Sequence, residues 1–269
     1  MNTSFGEPSP DAPAGGRLAP LRVGSVGYLN AAPLTFTAPG EVLLTTPAEL
    51  ARWLRRDELD AALVSIHEVL VNDRYDLLDG LGIISRGPVK SVVLAHRCPL
   101  RDIAEVWCDP ASLTSVGLVQ VLLAEHGVRP RYRSLVHYAD AGEAEAVLLI
   151  GDRAIEFQAA SPPHAIWDLG EAWRQLTGLP FVYAGWALRR DATTAEWRGR
   201  LRALCREGID RIEDFIAGRP AAEQAFCRRY FRDNIAYDLG DAEKAGLRRF
   251  AELLVRHTGV TVFAPRFLV

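Results

Sequence analysis

Short apolar runs alternate with helical periodicity along this chain, and that alternation limits the fold to the α/β class. Residues 21–28 form the first run and 42–45 the second. "DAALVS" at 60–65 is a third, almost wholly apolar, as a strand covered on both faces must be. "AEVWCD" at 104–109 and "AVLLIGD" at 146–152 repeat the pattern. "LGIISRGPVKSVVLAH" holds two further apolar stretches around a Gly-Pro break. Residues 47–56 read as a helix capped by Thr46, with Pro47 first and Leu50, Trp53 and Leu54 on one face. Residues 115–126 read as another, with Val116, Val119, Leu122 and Leu123 aligned and Gly127 as its stop. From Ala195 onward the pattern is helical: 197–217, 221–231 and 241–258.

A length of 269 residues is too great for one small core and suits two lobes. The order of the runs suggests a tail over 1–20 and a discontinuous first lobe, 21–95 plus 189–269. The second lobe, 96–188, is then inserted, and two crossings make a hinge over a cleft. "GLPFVYAGWALRR" at 178–190 is long enough to run between lobes, with Trp186 inside it. A single doubly wound sheet would give a similar order of elements.

Composition excludes several classes. Hydrophobic residues make up 49% and charged residues 24%, an ordinary globular balance. The net charge of −3 leaves no basic excess for a nucleic-acid partner. No apolar run approaches the roughly 20 residues needed to span a bilayer, so no membrane partner is expected. The tail "MNTSFGEPSPDAPAGGRLAP" lacks the apolar core of a secretory signal and reads as disordered. The four cysteines form no CxxC pair, which points to a reduced, cytoplasmic protein.

In open α/β sheets ligands bind at the carboxyl ends of strands, and polar residues stand there. The first run stops on Tyr28-Leu29-Asn30, where Asn30 either turns the chain or faces a ligand. "DPASLTS" at 109–115 crowds Ser112, Thr114 and Ser115 at a helix start. One hydroxyl suffices for a cap; the surplus, with free N–H groups, suits a carboxylate. In "GPVKSVV" at 87–93, Ser91 is the candidate donor and Lys90, on the other face, is solvated. Asp152 ends its strand either as a helix cap or as a carboxylate in the cleft. His67 and Glu68 lack metal-site spacing, and no nucleophile elbow, dinucleotide fingerprint or phosphate loop is present.

Five stretches together resemble the chorismate dehydratase family (MqnA) of the futalosine route to menaquinone. They are "YLNAAPL", "GPVKSVVL", "DPASLTS", "LLIGDRAI" and "WDLGEAWRQLTGLPFVYAGW", spanning about 22–190. The resemblance implies a two-lobe, periplasmic-binding-protein-like (type 2) fold. It also implies conversion of chorismate to 3-[(1-carboxyvinyl)oxy]benzoate with loss of water, with no cofactor and no metal. Carried onto this chain, the family's central residues are Asn30 and Ser91, and its hydroxyl cluster is Ser112, Thr114 and Ser115. Leu113 departs from the family, which usually has arginine there, and "LVSIHE" at 63–68 lacks a common proline. The sister enzyme, 1,4-dihydroxy-6-naphthoate synthase, shares the fold but opens on a different block. A solute-binding protein and the ligand-sensing domain of a regulator use the same architecture. The first would carry an export signal and the second a DNA-binding helix pair.

Overall fold

The structure, a computed structural model, describes residues 16–111 and 113–269. The tail expected over 1–20 lies outside the described residues as far as residue 15. Residues 16–20 are not tail: Leu18 is 1% exposed and its carbonyl accepts Trp197 Nε1–H at 2.9 Å.

The strands, in chain order, begin with β1 (Val23–Ser25), β2 (Val42–Leu44), β3 (Ala61–Ser65), β4 (Tyr75–Ser85) and β5 (Val92–His96). They continue with β6 (Glu105–Cys108), β7 (Arg131–Ser134), β8 (Ala146–Ile150), β9 (Ala165–Asp168), β10 (Phe181–Arg189) and β11 (Phe267–Leu268). The helices are α1 (Pro47–Arg55), α2 (Ile66–Val71), α3 (Leu113–Glu125), α4 (Gly151–Ala159) and α5 (Leu169–Thr177). After them come α6 (Ala195–Asp210), α7 (Ile212–Ala217), α8 (Ala221–Asp233) and α9 (Asp241–Thr258). A single turn of 3-10 helix, Ala32–Leu34, follows the Tyr28–Asn30 corner.

Among the described residues the strands form two sheets, not one doubly wound sheet. The first runs β11-β4-β10-β3-β1-β2 and the second β7-β6-β8-β5-β9. In the first, β1 is parallel to β2 and β3, and β10 is antiparallel to β3 and β4. In the second, β6 is parallel to β7 and β8, while β5 is antiparallel to β8 and β9. These pairings move the expected lobe limits. β5 belongs to the second sheet and β10 wholly to the first, so the crossings fall between 85 and 92 and between 168 and 181. Both strands are apolar and covered on both faces, so composition alone suits them to either sheet. Trp186 is accordingly a core residue of β10, fully buried.

Local chemistry accounts for the elements. Thr46 caps α1 by accepting Glu49 N–H at 3.3 Å, and Pro47 fills its first position. α3 is apolar nearly all round because it is enclosed: Leu118, Val119, Val121, Leu122 and Leu123 are fully buried against α2, α5 and α9. Through α3 and α9 one apolar core runs across both lobes. The carboxyl ends of the parallel strands carry the polar corners: Tyr28–Asn30 after β1, Ser65 on β3, Asp109 after β6, and Gly151-Asp152 after β8. Ser91 directly precedes β5, whose start lies beside the end of β8 through the Val92–Ile150 pair.

Candidate functional site

Hydrogen-bonded bridges join the lobes at these corners. In the first, Leu29 N–H donates to Asp152 Oδ1 at 3.1 Å. Asp152 is the second residue of α4 and makes no cap; its carboxylate reaches across to the β1 corner instead. Gly151 N–H donates to the Ser91 carbonyl at 2.7 Å. Asn30, Leu29, Asp152, Gly151 and Ser91 are thus a continuous chain of peptide links and hydrogen bonds. Gly151 allows the approach. Its φ of +57° is left-handed, and a Cβ there would stand 3.3 Å from the Tyr28 ring.

Asn30 keeps its backbone tied and its side chain free. Tyr237 Oη donates to the Asn30 carbonyl at 2.9 Å, while Asn30 Oδ1 is buried and accepts no hydrogen bond among the described residues. A buried acceptor without a donor costs free energy, so this atom is held ready for one. Ser91 is fully buried, and its Oγ accepts Tyr230 Oη–H at 2.8 Å. Lys90 is exposed, as expected, but from a left-handed backbone with φ +63° instead of strand alternation.

The second bridge holds Thr114. Thr114 N–H donates to Ser65 Oγ at 3.1 Å, the two hydroxyls bond each other, and His67 N–H donates to Thr114 Oγ1 at 3.1 Å. Thr114 therefore seals β3 to the start of α3. Ser115 is buried beside it. Ser112, the remaining hydroxyl of the cluster, lies outside the described residues. Leu113 lines a separate hollow of about 160 Å³ with Arg55, Ser65 and Glu68. Glu68 is occupied by Arg55 at 2.8 and 2.9 Å and by Asn72 at 3.0 Å. Burial lowers the His67 pKa, and its ring packs near α3.

A hollow of about 630 Å³ opens between α4 and α8 beside the first bridge, lined by Leu29, Lys90, Asp152, Arg219, Phe226 and Cys227 among others. Asn30 and Ser91 are the chain neighbours of its Leu29 and Lys90. Burial raises the Asp152 carboxyl above the usual range, against the Leu29 N–H bond that lowers it. Burial also raises Asp109, against bonds from Ala111 N–H at 2.9 Å and Tyr138 Oη at 2.7 Å. Burial first, then the nearby Asp109 and Asp152 carboxylates, pushes Tyr28 up to about 12. The structure thus links the Asn30 corner, Asp152 and Ser91 through one chain of contacts and places Thr114 on a separate bridge to Ser65.

Sequence reasoning missed Tyr230, Tyr237 and Asp168. The tyrosines lie 139 and 207 residues from the groups they touch, and nothing local announces such contacts. Asp168 had a signal: Asp-x-x-Glu at 168–171 is a helix-start pattern. Its carboxylate accepts Gly170 and Glu171 N–H at 3.0 and 3.1 Å, and also Val89 and Lys90 N–H at 3.0 and 2.7 Å. It buckles the two crossings together.

Comparison with known proteins shows the family and the fold. A family model described as menaquinone biosynthesis matches residues 21–256. The chain is 35% identical over 273 residues to the chorismate dehydratase of Thermus thermophilus, covering 93% of this chain and 99% of that one. It is 27% identical over 241 residues to the chorismate dehydratase of Campylobacter jejuni, covering 87% and 92%. Among solved structures, a protein of Archaeoglobus fulgidus superposes with TM-score 0.65 at 17% identity, covering 89% of this chain and 97% of that one. The periplasmic aliphatic sulphonate binding protein SsuA of Escherichia coli gives 0.60 at 16% identity, covering 93% of each. The fold is therefore the two-lobe, type 2 periplasmic-binding-protein-like one, and the chain belongs to the menaquinone-biosynthesis family.

Proposed function

We propose that this protein is a chorismate dehydratase, a carbon–oxygen lyase that converts chorismate to 3-[(1-carboxyvinyl)oxy]benzoate and water in menaquinone biosynthesis. The observation that carries the reading is the 35% identity to the Thermus thermophilus enzyme over nearly the whole of both chains. The reaction breaks the C–H bond on the ring carbon that bears the ether and the C–O bond of the ring hydroxyl. A proton and a hydroxide leave together as water, and the ring becomes aromatic. Aromatisation drives the change, so the protein has only a kinetic barrier to lower, at about 1.36 kcal/mol per tenfold in rate.

Asn30, Ser91 and Asp152 support this reading because they meet where the lobes touch. Asn30 offers both a donor and an acceptor. It holds the departing hydroxyl, and Ser91 donates to a substrate oxygen. Thr114 and Ser115 stand in the first turn of α3, where the helix dipole favours a carboxylate. The substrate's own side-chain carboxylate takes the ring proton. Asp152 serves as the tie that brings the β1 corner to α4. Cys98, Cys108, Cys205 and Cys227 are free, in keeping with a reducing cytoplasmic setting. Incubating the purified protein with chorismate alone tests the function. One equivalent of the aromatic ether should form per chorismate consumed; binding without product would instead identify a carboxylate-binding protein.

A further inference from the structure

The segment after Arg190 carries no part of the quoted blocks, yet α8 grips the loop that bears Ser91. Tyr230 and Asn234, four residues apart at the end of α8, reach it together. Tyr230 Oη donates to Ser91 Oγ at 2.8 Å, and Asn234 Nδ2 donates to the Pro88 carbonyl at 2.8 Å. From the other side Asp168 accepts Val89 and Lys90 N–H. The loop is thus fixed at four consecutive residues, 88 to 91.

We propose that Tyr230 is the positioning residue for Ser91, turning its hydroxyl proton toward the substrate. The inference rests on the reading that Ser91 donates to a substrate oxygen. A serine hydroxyl has one proton to give and lone pairs to receive with. Tyr230 fills a lone pair, so the Ser91 proton must point elsewhere. Its protein acceptor is the Val89 carbonyl at 3.4 Å, beyond the ordinary range for a hydroxyl donor. Little is lost when that proton swings to a ligand. Donation from Tyr230 also polarises the Ser91 O–H and strengthens it as a donor. The tyrosine cannot turn away: it is 1% exposed and stacks on Phe226 at 5.6 Å and 14°. Burial raises its ionisation well above the working range, so it stays a donor.

Steady-state chorismate turnover by wild type, Ser91→Ala, Tyr230→Phe and the double variant tests the proposal, with melting temperature read beside it. Tyr230→Phe keeps the ring and its stack and removes only the hydroxyl. It should lower kcat about tenfold at nearly unchanged KM. A purely structural tyrosine would move the melting temperature and leave kcat per folded molecule alone. The double variant should be no slower than Ser91→Ala, because Tyr230 acts only through Ser91. Wild-type kcat in Tyr230→Phe while Ser91→Ala is impaired overturns the proposal, as does a double variant that loses the product of both factors. Full turnover by Ser91→Ala overturns it differently, by removing Ser91 from the mechanism with the dehydratase activity intact. Absence of turnover by wild type overturns the functional reading itself, and this inference with it.

Discussion

A single orphaned atom, Asn30 Oδ1, distinguishes the β1 corner from an ordinary turn. The corner needs no side-chain amide for its own geometry, because the backbone carbonyl of Asn30 is held by Tyr237. Asn30→Ala should therefore fold normally and lose about 100-fold in kcat, the usual cost of removing one preorganised polar group from a site. Kinetics with a melting control would check this. Asp152 separates two roles by chemistry. If it only accepts the Leu29 N–H, Asp152→Asn keeps an acceptor in place and should retain turnover within about threefold, whereas Asp152→Ala should lose about tenfold. A collapse in Asp152→Asn would make it the base. Asn30 and Ser91 could be named as candidates from sequence because the blocks that carry them are short and local. Tyr230 and Tyr237 were not: helix periodicity makes Tyr230 look like any core tyrosine, and nothing in the loop between α8 and α9 points from Tyr237 to the β1 corner.

Elements matter here as rigid carriers of those residues. The turn Ala32–Leu34, just after Asn30, rests on α6. Gly208 of α6 lies so close that a Cβ there would sit 2.0 Å from the Pro33 carbonyl oxygen. Gly208→Ala must push helix and turn apart. It should cost about 1–3 kcal/mol of stability by overpacking and lower kcat as well, since Asn30 moves with the turn. Denaturant unfolding and turnover measured together would show both losses. Strands and helices themselves were largely readable: α1 with its Thr46 cap, α3 with its apolar face and β3 came out within a residue or two. Sheet membership was not. β5 and β10 are uniformly apolar, and their choice of sheet depends on partners far along the chain.

At the scale of the whole molecule, acid stability depends on carboxylates that tie distant segments. Asp60 is 4% exposed and accepts Arg22 N–H at 2.9 Å, the Arg22 guanidinium at 3.2 Å and Arg189 at 2.6 Å. Burial alone would raise its pKa; the Arg22 and Arg189 interactions outweigh that and hold it below the usual aspartate range. A carboxyl with a lowered folded pKa contributes stability above its unfolded pKa and loses it as pH falls through the folded one. Unfolding measured against pH should thus show an Asp60-dependent loss below about pH 4. Asp60→Asn should remove that acid limb and about 2 kcal/mol at neutral pH.

The two-lobe plan followed from chain length and element order, but the seam between lobes did not, because it is made by pairs such as Leu29–Asp152 and Ser65–Thr114. That seam is the central claim. Its most direct test is the position of chorismate in crystals of the slow Ser91→Ala protein. The ring should lie at the Leu29–Asp152 seam within hydrogen-bond reach of Asn30. Chorismate bound instead in the second-lobe hollow lined by Trp107, Leu135 and Asp140, with no contact to Asn30, would contradict the account.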